Sequence, residues 1–158
     1  MADSTDPVPG RAIVVEGDAS GFAQRIMARD HLLLSDEPAA LGGTDVGPDP
    51  YELLLAALGS CTSMTIALYA RRKKWPLDSV KVTLRHARVH ATDCADCDTK
   101  IGMLDHIDRD IELFGPLDDE QRARLLDIAD KCPVHRTLTG DIHVTSTLLP
   151  TTLLPAPV

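Results

Sequence analysis

The residues of this 158-residue chain best suited to chemistry are its four cysteines, at positions 61, 94, 97 and 132. Cys132 stands in "DKCPVHRTLTG" (130–140), at the end of an apolar helical pattern and directly before a proline. Proline favours the first position of a helix, because the amide it lacks would have no partner there. Cys132 is therefore expected to end one helix and cap the next, its sulfur near free N–H groups that favour a reactive thiolate. The same position also suits a small apolar side chain packing the helix end. Cys61, in "LGSCTSMT", has Ala57, Leu58, Met64 and Thr65 at helical spacing. An inert core thiol fits that setting, although Gly59 and Ser60 beside it leave room for another backbone or a substrate.

The other two cysteines fall in "HARVHATDCADCDTK" (86–100). His86, His90, Cys94 and Cys97 have spacing compatible with a zinc site. Cys94 and Cys97 alone have the C-x2-C spacing of a reversible disulfide. An acidic loop joining two strands is the third reading, and the flanking Asp93, Asp96 and Asp98 would raise the thiol pKa values and slow redox chemistry. His135, three residues after Cys132, suits either a proton donor to a thiol or a partly buried hydrogen-bonded side chain. His31, His106 and His143 read as strand or turn residues.

The elements that must position these groups are legible in the patterning. "RAIVVEGD" and "GFAQRIMARDHLLLSDEP" contain three short apolar runs separated by turn signals, consistent with strands. A loop rich in Gly, Asp and Pro follows, "ALGGTDVGPDP". Asp49, Pro50 and Glu52 then form the N-cap, first turn and capping box of a helix that runs to about Lys74 and stops before Pro76. "SVKVTLRHARVHA" alternates and then shifts phase after Leu84, which predicts a long strand with a bulge. "MLDHIDRDIELFG" is its expected antiparallel partner. "LDDEQRARLLDIADK" is a second helix, with Leu125, Ile128, Ala129 and Cys132 on one stripe. "DIHVTSTLL" is expected to form a last strand with Ile142, Val144, Ser146 and Leu148 on one side. The order is that of an α+β domain rather than alternating βαβ units. Residues 1–10 read as a flexible arm, 11–149 as a single domain and 150–158 as a Pro-rich tail.

Composition narrows the function. One Trp, two Tyr and two Phe leave the core to aliphatic residues. With 16 basic against 24 acidic residues, the formal net charge of −8 argues against nucleic acid or an anionic membrane as partner. The first residues do not resemble a signal peptide, so the reducing cytoplasm is the expected compartment, where thiols are more often catalytic or metal-bound than structural. Leu53 to Ala70 carries no charge and precedes "RRKK", which meets the lower bound for a membrane span. Its Gly, Ser and Thr content fits the buried centre of a globular domain better.

The stretch "GGTDVGPDPYELLLAALGSCTSMTIALYARRKKWPLDSVKV" followed at a distance by "KCPVHRTLTG" resembles the OsmC/Ohr family of thiol-dependent hydroperoxide reductases. The likeness covers roughly residues 20–148, and its two motifs are a Pro-led helix with a cysteine eleven residues on and a distant Cys-Pro. It implies small antiparallel sheets around a central buried helix pair, in an intertwined homodimer with active sites at the interface. It implies Cys61 as the peroxide-attacking cysteine and Cys132 as the resolving one, with no cofactor. Organic hydroperoxides would be the substrates and an external dithiol the reductant.

Family members of the organic hydroperoxide type place a glutamate ten residues before the first cysteine, paired with an activating arginine. Here that position is Tyr51. Glu52 lies nine residues before Cys61, roughly half a turn around the helix from it, and reads better as the capping residue. Arg25 and Arg29 lie in the region expected for the arginine. The departures leave two rival functions: an apolar cleft that holds a small lipophilic ligand without catalysis, or metal binding through His86, His90, Cys94 and Cys97.

Overall fold

The computed structural model describes residues 12–90 and 101–150. The N-terminal arm, Cys94, Cys97 and nearly all of the Pro-rich tail lie outside the described residues. Three short strands come first, β1 (Val14–Gly17), β2 (Gln24–Ala28) and β3 (His31–Ser35). They pair as an antiparallel meander, with Val15 opposite Ile26 and Ile26 opposite Leu33. Arg29, at φ 58°, lies in the turn between β2 and β3. A short 3-10 turn at Ala39–Leu41 follows. The buried Asp36 carboxylate holds the loop beyond β3, accepting from Thr44 N (2.8 Å), Thr44 Oγ1 (2.6 Å) and Glu37 N (2.8 Å). These bonds, the Thr44 hydroxyl foremost, bring its pKa below the usual carboxylate value.

Helix α1 (Pro50–Lys73) begins with the expected capping box. Asp49 Oδ1 accepts from Glu52 N at 2.8 Å, and Glu52 Oε2 accepts from Asp49 N at 2.9 Å. Arg71, Arg72 and Lys73 in its last turn suit the negative end of the helix dipole, and Lys74 closes it in the left-handed conformation at φ 55°. Strands β4 (Ser79–His90) and β5 (Met103–Phe114) form a two-stranded antiparallel ribbon. Its register is unbroken from Ser79 opposite Phe114 to His90 opposite Met103. The bulge expected from the phase shift is therefore absent. Burial does change phase near Ala87, because the ribbon there runs past the start of α1, where Tyr51 stacks on His86 with ring centroids 4.5 Å apart.

Helix α2 (Asp119–Ala129) starts on a second capping box, Asp118 with Gln121. Arg122 ties it to the end of β5 by donating to Leu113 O (2.8 Å) and Gly115 O (3.0 Å). Helix α3 (Pro133–Leu138) follows, with Cys132 as its N-cap and Pro133 in its first turn. Ile66 and Ala70 of α1 meet Leu117 and, from α2, Leu125 and Ala129 in the main core, flanked by Tyr69, Trp75, Val80, Ile111 and Leu113. Gly59 lets α1 lie on the ribbon, since a Cβ there would approach Leu84 Cδ1 to 2.7 Å. Its small size serves this packing.

Two expectations change. The last strand does not form among the described residues: 141–150 is irregular and exposed, with Val144 at 79 % and Leu148 at 98 %. A strand needs a neighbouring ladder, and the described chain offers none to it. Nor is α1 buried on all sides. Leu58, Gly59, Thr62, Ile66 and Ala70 are covered, while Met64 is 69 % exposed. The β1–β3 sheet is likewise uncovered, with Val14, Val15, Leu32, Leu33 and Leu34 all 41–56 % exposed.

Candidate functional site

Helix α1 carries Cys61 two residues past Gly59, and the α2–α3 junction brings Cys132 against it. The two thiols interact directly. Cys132 is fully buried, while Cys61 is partly exposed. Cys61 opens into a groove of about 350 Å³ walled by Ala57, Met64, Thr65, Leu68, Pro133 and Val134. The walls are predominantly apolar, so a hydrocarbon group can lie over the sulfur.

The electrostatics of the two sulfurs differ in sign. Burial pushes the Cys61 thiol up, and its interaction with Cys132 adds to this; the Val134 N–H and Thr65 act the other way. Burial also opposes the Cys132 thiolate, but contacts from Cys61, the His135 N–H, the Thr62 hydroxyl and the Val134 N–H outweigh it and bring the Cys132 pKa below the ordinary thiol value. The N-cap makes no side-chain hydrogen bond of standard geometry. Its N–H groups act on the sulfur as oriented dipoles, as the Cys-Pro sequence predicts. When the pair carries a single negative charge, that charge is therefore favoured on Cys132 rather than on Cys61.

Arg109 of β5 is the group that sequence reasoning missed. Its guanidinium side chain is 13 % exposed. Nη1 donates to Thr62 Oγ1 (3.1 Å) and Ala129 O (3.4 Å), and Nη2 to Asp130 Oδ1 (2.6 Å). One signal could have revealed it. Arg109 shares strand parity with Ile107, Ile111 and Leu113, so the alternation of "HIDRDIEL" already places a cation on the inward face.

The remaining candidates fall elsewhere. Glu52 is committed to the capping box. Arg25 and Arg29 are exposed, on β2 and in its turn. The His135 side chain lines a second cavity of about 330 Å³, with Leu58, Asp105, Ile107, Arg109, Leu138 and Thr139, and only its backbone N–H serves Cys132. His86 pairs with Asp105 Oδ1 at 2.9 Å, whereas His90 is exposed. Among the described residues no cluster of three or more His, Cys, Asp or Glu could hold a metal. The Cys94 and Cys97 half of the proposed zinc set lies outside them.

Comparison with known proteins bears on the family and the fold. The family of OsmC-like proteins matches residues 42–147. No curated protein matches the chain. An OsmC-like protein from Mycoplasma pneumoniae has a similar structure, with TM-score 0.62, 21 % identity, and coverage of 83 % of this chain and 88 % of that one. An organic hydroperoxide resistance protein from Legionella pneumophila gives 0.59 and 19 %, covering 85 % and 92 %. One from Vibrio cholerae, with captopril bound in one of its active sites, gives 0.60 and 20 %, covering 87 % and 90 %. At these identities the likeness establishes the fold.

Proposed function

The chain belongs to the OsmC-like family, and from that premise we propose that it is a thiol-dependent peroxidase reducing organic hydroperoxides to alcohols. The observation that carries the reading is the asymmetric thiol pair. Cys61 lies at the floor of an apolar groove and Cys132 is sealed behind it.

In this reading a hydroperoxide lies with its hydrocarbon group in the groove and its outer oxygen at Cys61. The proton of Cys61 moves to Cys132, which acts as an internal base. The Cys61 thiolate attacks the outer oxygen and breaks the O–O bond, giving a sulfenic acid and an alkoxide, and the alkoxide takes the proton back from Cys132. Cys132, again a thiolate, attacks the sulfenic sulfur. Hydroxide leaves, takes a proton from solvent, and a Cys61–Cys132 disulfide remains. An external dithiol restores both thiols by exchange. Direct attack by Cys132 on a bulky peroxide is blocked by its burial.

The uncovered apolar faces of β1–β3 and α1 support a second copy of this chain as the partner that completes the domain, an intertwined homodimer. Cytoplasmic reducing conditions suit the cycle. The ligand-holding alternative draws support from Glu52, which caps a helix instead of facing Cys61. The test is dithiol-dependent consumption of cumene hydroperoxide, tert-butyl hydroperoxide and hydrogen peroxide. Turnover of the two organic peroxides, lost in Cys61→Ser and retained in Cys94→Ser/Cys97→Ser, is expected. Turnover no faster than the Cys61→Ser background would favour the ligand-holding protein.

A further inference from the structure

Arg109 reaches from β5 to two places that bear on the thiols. Nη1 donates to Thr62 Oγ1 at 3.1 Å, on the residue that follows Cys61 in α1. The same nitrogen donates to Ala129 O at 3.4 Å, and that carbonyl also accepts from the Cys132 N–H at 3.2 Å. Nη2 donates to Asp130 Oδ1 at 2.6 Å. One nitrogen thus holds both the helix of Cys61 and the carbonyl from which the Cys132 backbone hangs. Thr62 and Ala129 are fully buried, and the Arg109 side chain is 13 % exposed. Among the described residues, no other side chain from another element hydrogen-bonds to residues 129–139. The chain beyond α3 adds no ladder to hold it, since 141–150 is irregular and exposed.

We propose that Arg109 is a positioning residue that clamps α1 to the α2–α3 junction and so sets the separation at which Cys132 meets Cys61. The two parts it joins meet at the site: Cys61 walls its groove together with Pro133 and Val134, the residues after Cys132. A disulfide closes only within a narrow window, with Cα atoms about 4.4–6.8 Å apart. A misplacement of about 1 Å can slow such an intramolecular step about a hundredfold. The contribution is one of geometry rather than charge. Asp130 is 65 % exposed, so water screens its attraction for Arg109. What the guanidinium supplies is a planar fork of fixed donors, which a lysine of equal charge lacks. The role in turnover rests on the peroxidase reading and deepens it. The clamp acts when Cys132 attacks the Cys61 sulfenic sulfur, an S–S bond forms and hydroxide leaves to take a proton from solvent. It does not act on the attack of Cys61 on peroxide, which takes place in the groove.

The test uses the full chain in a Cys94→Ser/Cys97→Ser background. Reduced protein receives one equivalent of cumene hydroperoxide with dimedone present to trap sulfenic acid. Mass spectrometry compares the Cys61–Cys132 disulfide with the dimedone adduct of Cys61, and the rate of peroxide loss reports the first step. Arg109→Met and Arg109→Lys should consume peroxide within about twofold of the wild type but close the disulfide about tenfold more slowly, shifting product to the adduct. Asp130→Ala, at an exposed position, removes one arm of the clamp without opening the core and should shift product the same way. It serves where the Arg109 variants fold poorly. Asp130→Asn keeps the acceptor oxygen and should follow the wild type. Disulfide content in mixtures of reduced and oxidised dithiothreitol reads the clamp without peroxide: Arg109→Met should hold the disulfide about tenfold less well than the wild type, and Asp130→Ala should move in the same direction. Native behaviour of Arg109→Met in both measurements, an Arg109→Lys that matches the wild type, or equal slowing of both steps overturns the clamp. A wild type that forms the disulfide in dithiothreitol but consumes no peroxide overturns the peroxidase reading alone, and the dithiothreitol comparison still decides the clamp.

Discussion

Cys132→Ser separates the shared proton from the sulfurs that share it. In the native pair the first ionisation places charge on Cys132, and Cys61 must then ionise beside an anion. Two unit charges about 4 Å apart at an effective dielectric constant near 20 repel by about 4 kcal/mol, which disfavours the doubly ionised pair roughly a thousandfold. Cys61 reactivity should thus rise with pH only until Cys132 has ionised, then level off before a late second rise. Serine cannot carry that charge in the same range. In Cys132→Ser, Cys61 keeps its burial but loses the anion opposing it, so its reactivity should continue to climb where the native protein has levelled. The two should coincide in acid, where both positions are neutral, and the variant should become the more reactive as pH increases. Iodoacetamide alkylation from about pH 5 to about pH 10 reads this directly, because peptide mass spectrometry reports Cys61 separately and Cys132 is sealed from the reagent. Steady-state turnover should be lost in the same variant, with Cys61 over-oxidised by a second equivalent of peroxide. Superimposed alkylation profiles, or a variant that levels off below the native protein, would refute the shared charge.

Two further substitutions probe the frame around the pair. Glu52→Ala removes half of a capping box, and should lower stability by about 1 kcal/mol in urea denaturation with peroxide turnover within about twofold of the native rate; a loss of about a hundredfold would make Glu52 an activating residue. Leu125→Ala opens the fully buried core between α1 and α2, and should cost about 2–5 kcal/mol, whereas a cost below about 1 kcal/mol would contradict its central place.

Much of the molecule was readable where the physics is local. The α1 cap, the Cys132-Pro133 junction and the alternation of β4 and β5 follow from propensities and periodicities within a few residues. The readings that failed depend on what lies across the gap. A bulge after Leu84 was inferred from a change of hydrophobic phase, but the ladder to β5 is continuous and the change falls where the ribbon passes the start of α1. The strand expected at 141–149 has the right alternation and no neighbour among the described residues to complete it. Arg109 was passed over as one charge among many in "DHIDRDIEL", although its parity placed it inward.

By itself the sequence determined the start of α1, the pairing of two long strands and the placing of one cysteine on a helix and another at a helix start, because each is set by nearest-neighbour sterics, capping and apolar spacing. Only the tertiary structure decided which sulfur is sealed and which is open. It also decided that Arg109 turns inward onto Thr62 and Ala129, while Glu52 caps α1 and Arg25 and Arg29 lie exposed. Those properties depend on distances between residues tens of positions apart in the chain, such as Arg109 and Thr62 at 3.1 Å, and solvation and electrostatics act on such distances rather than on order along the chain.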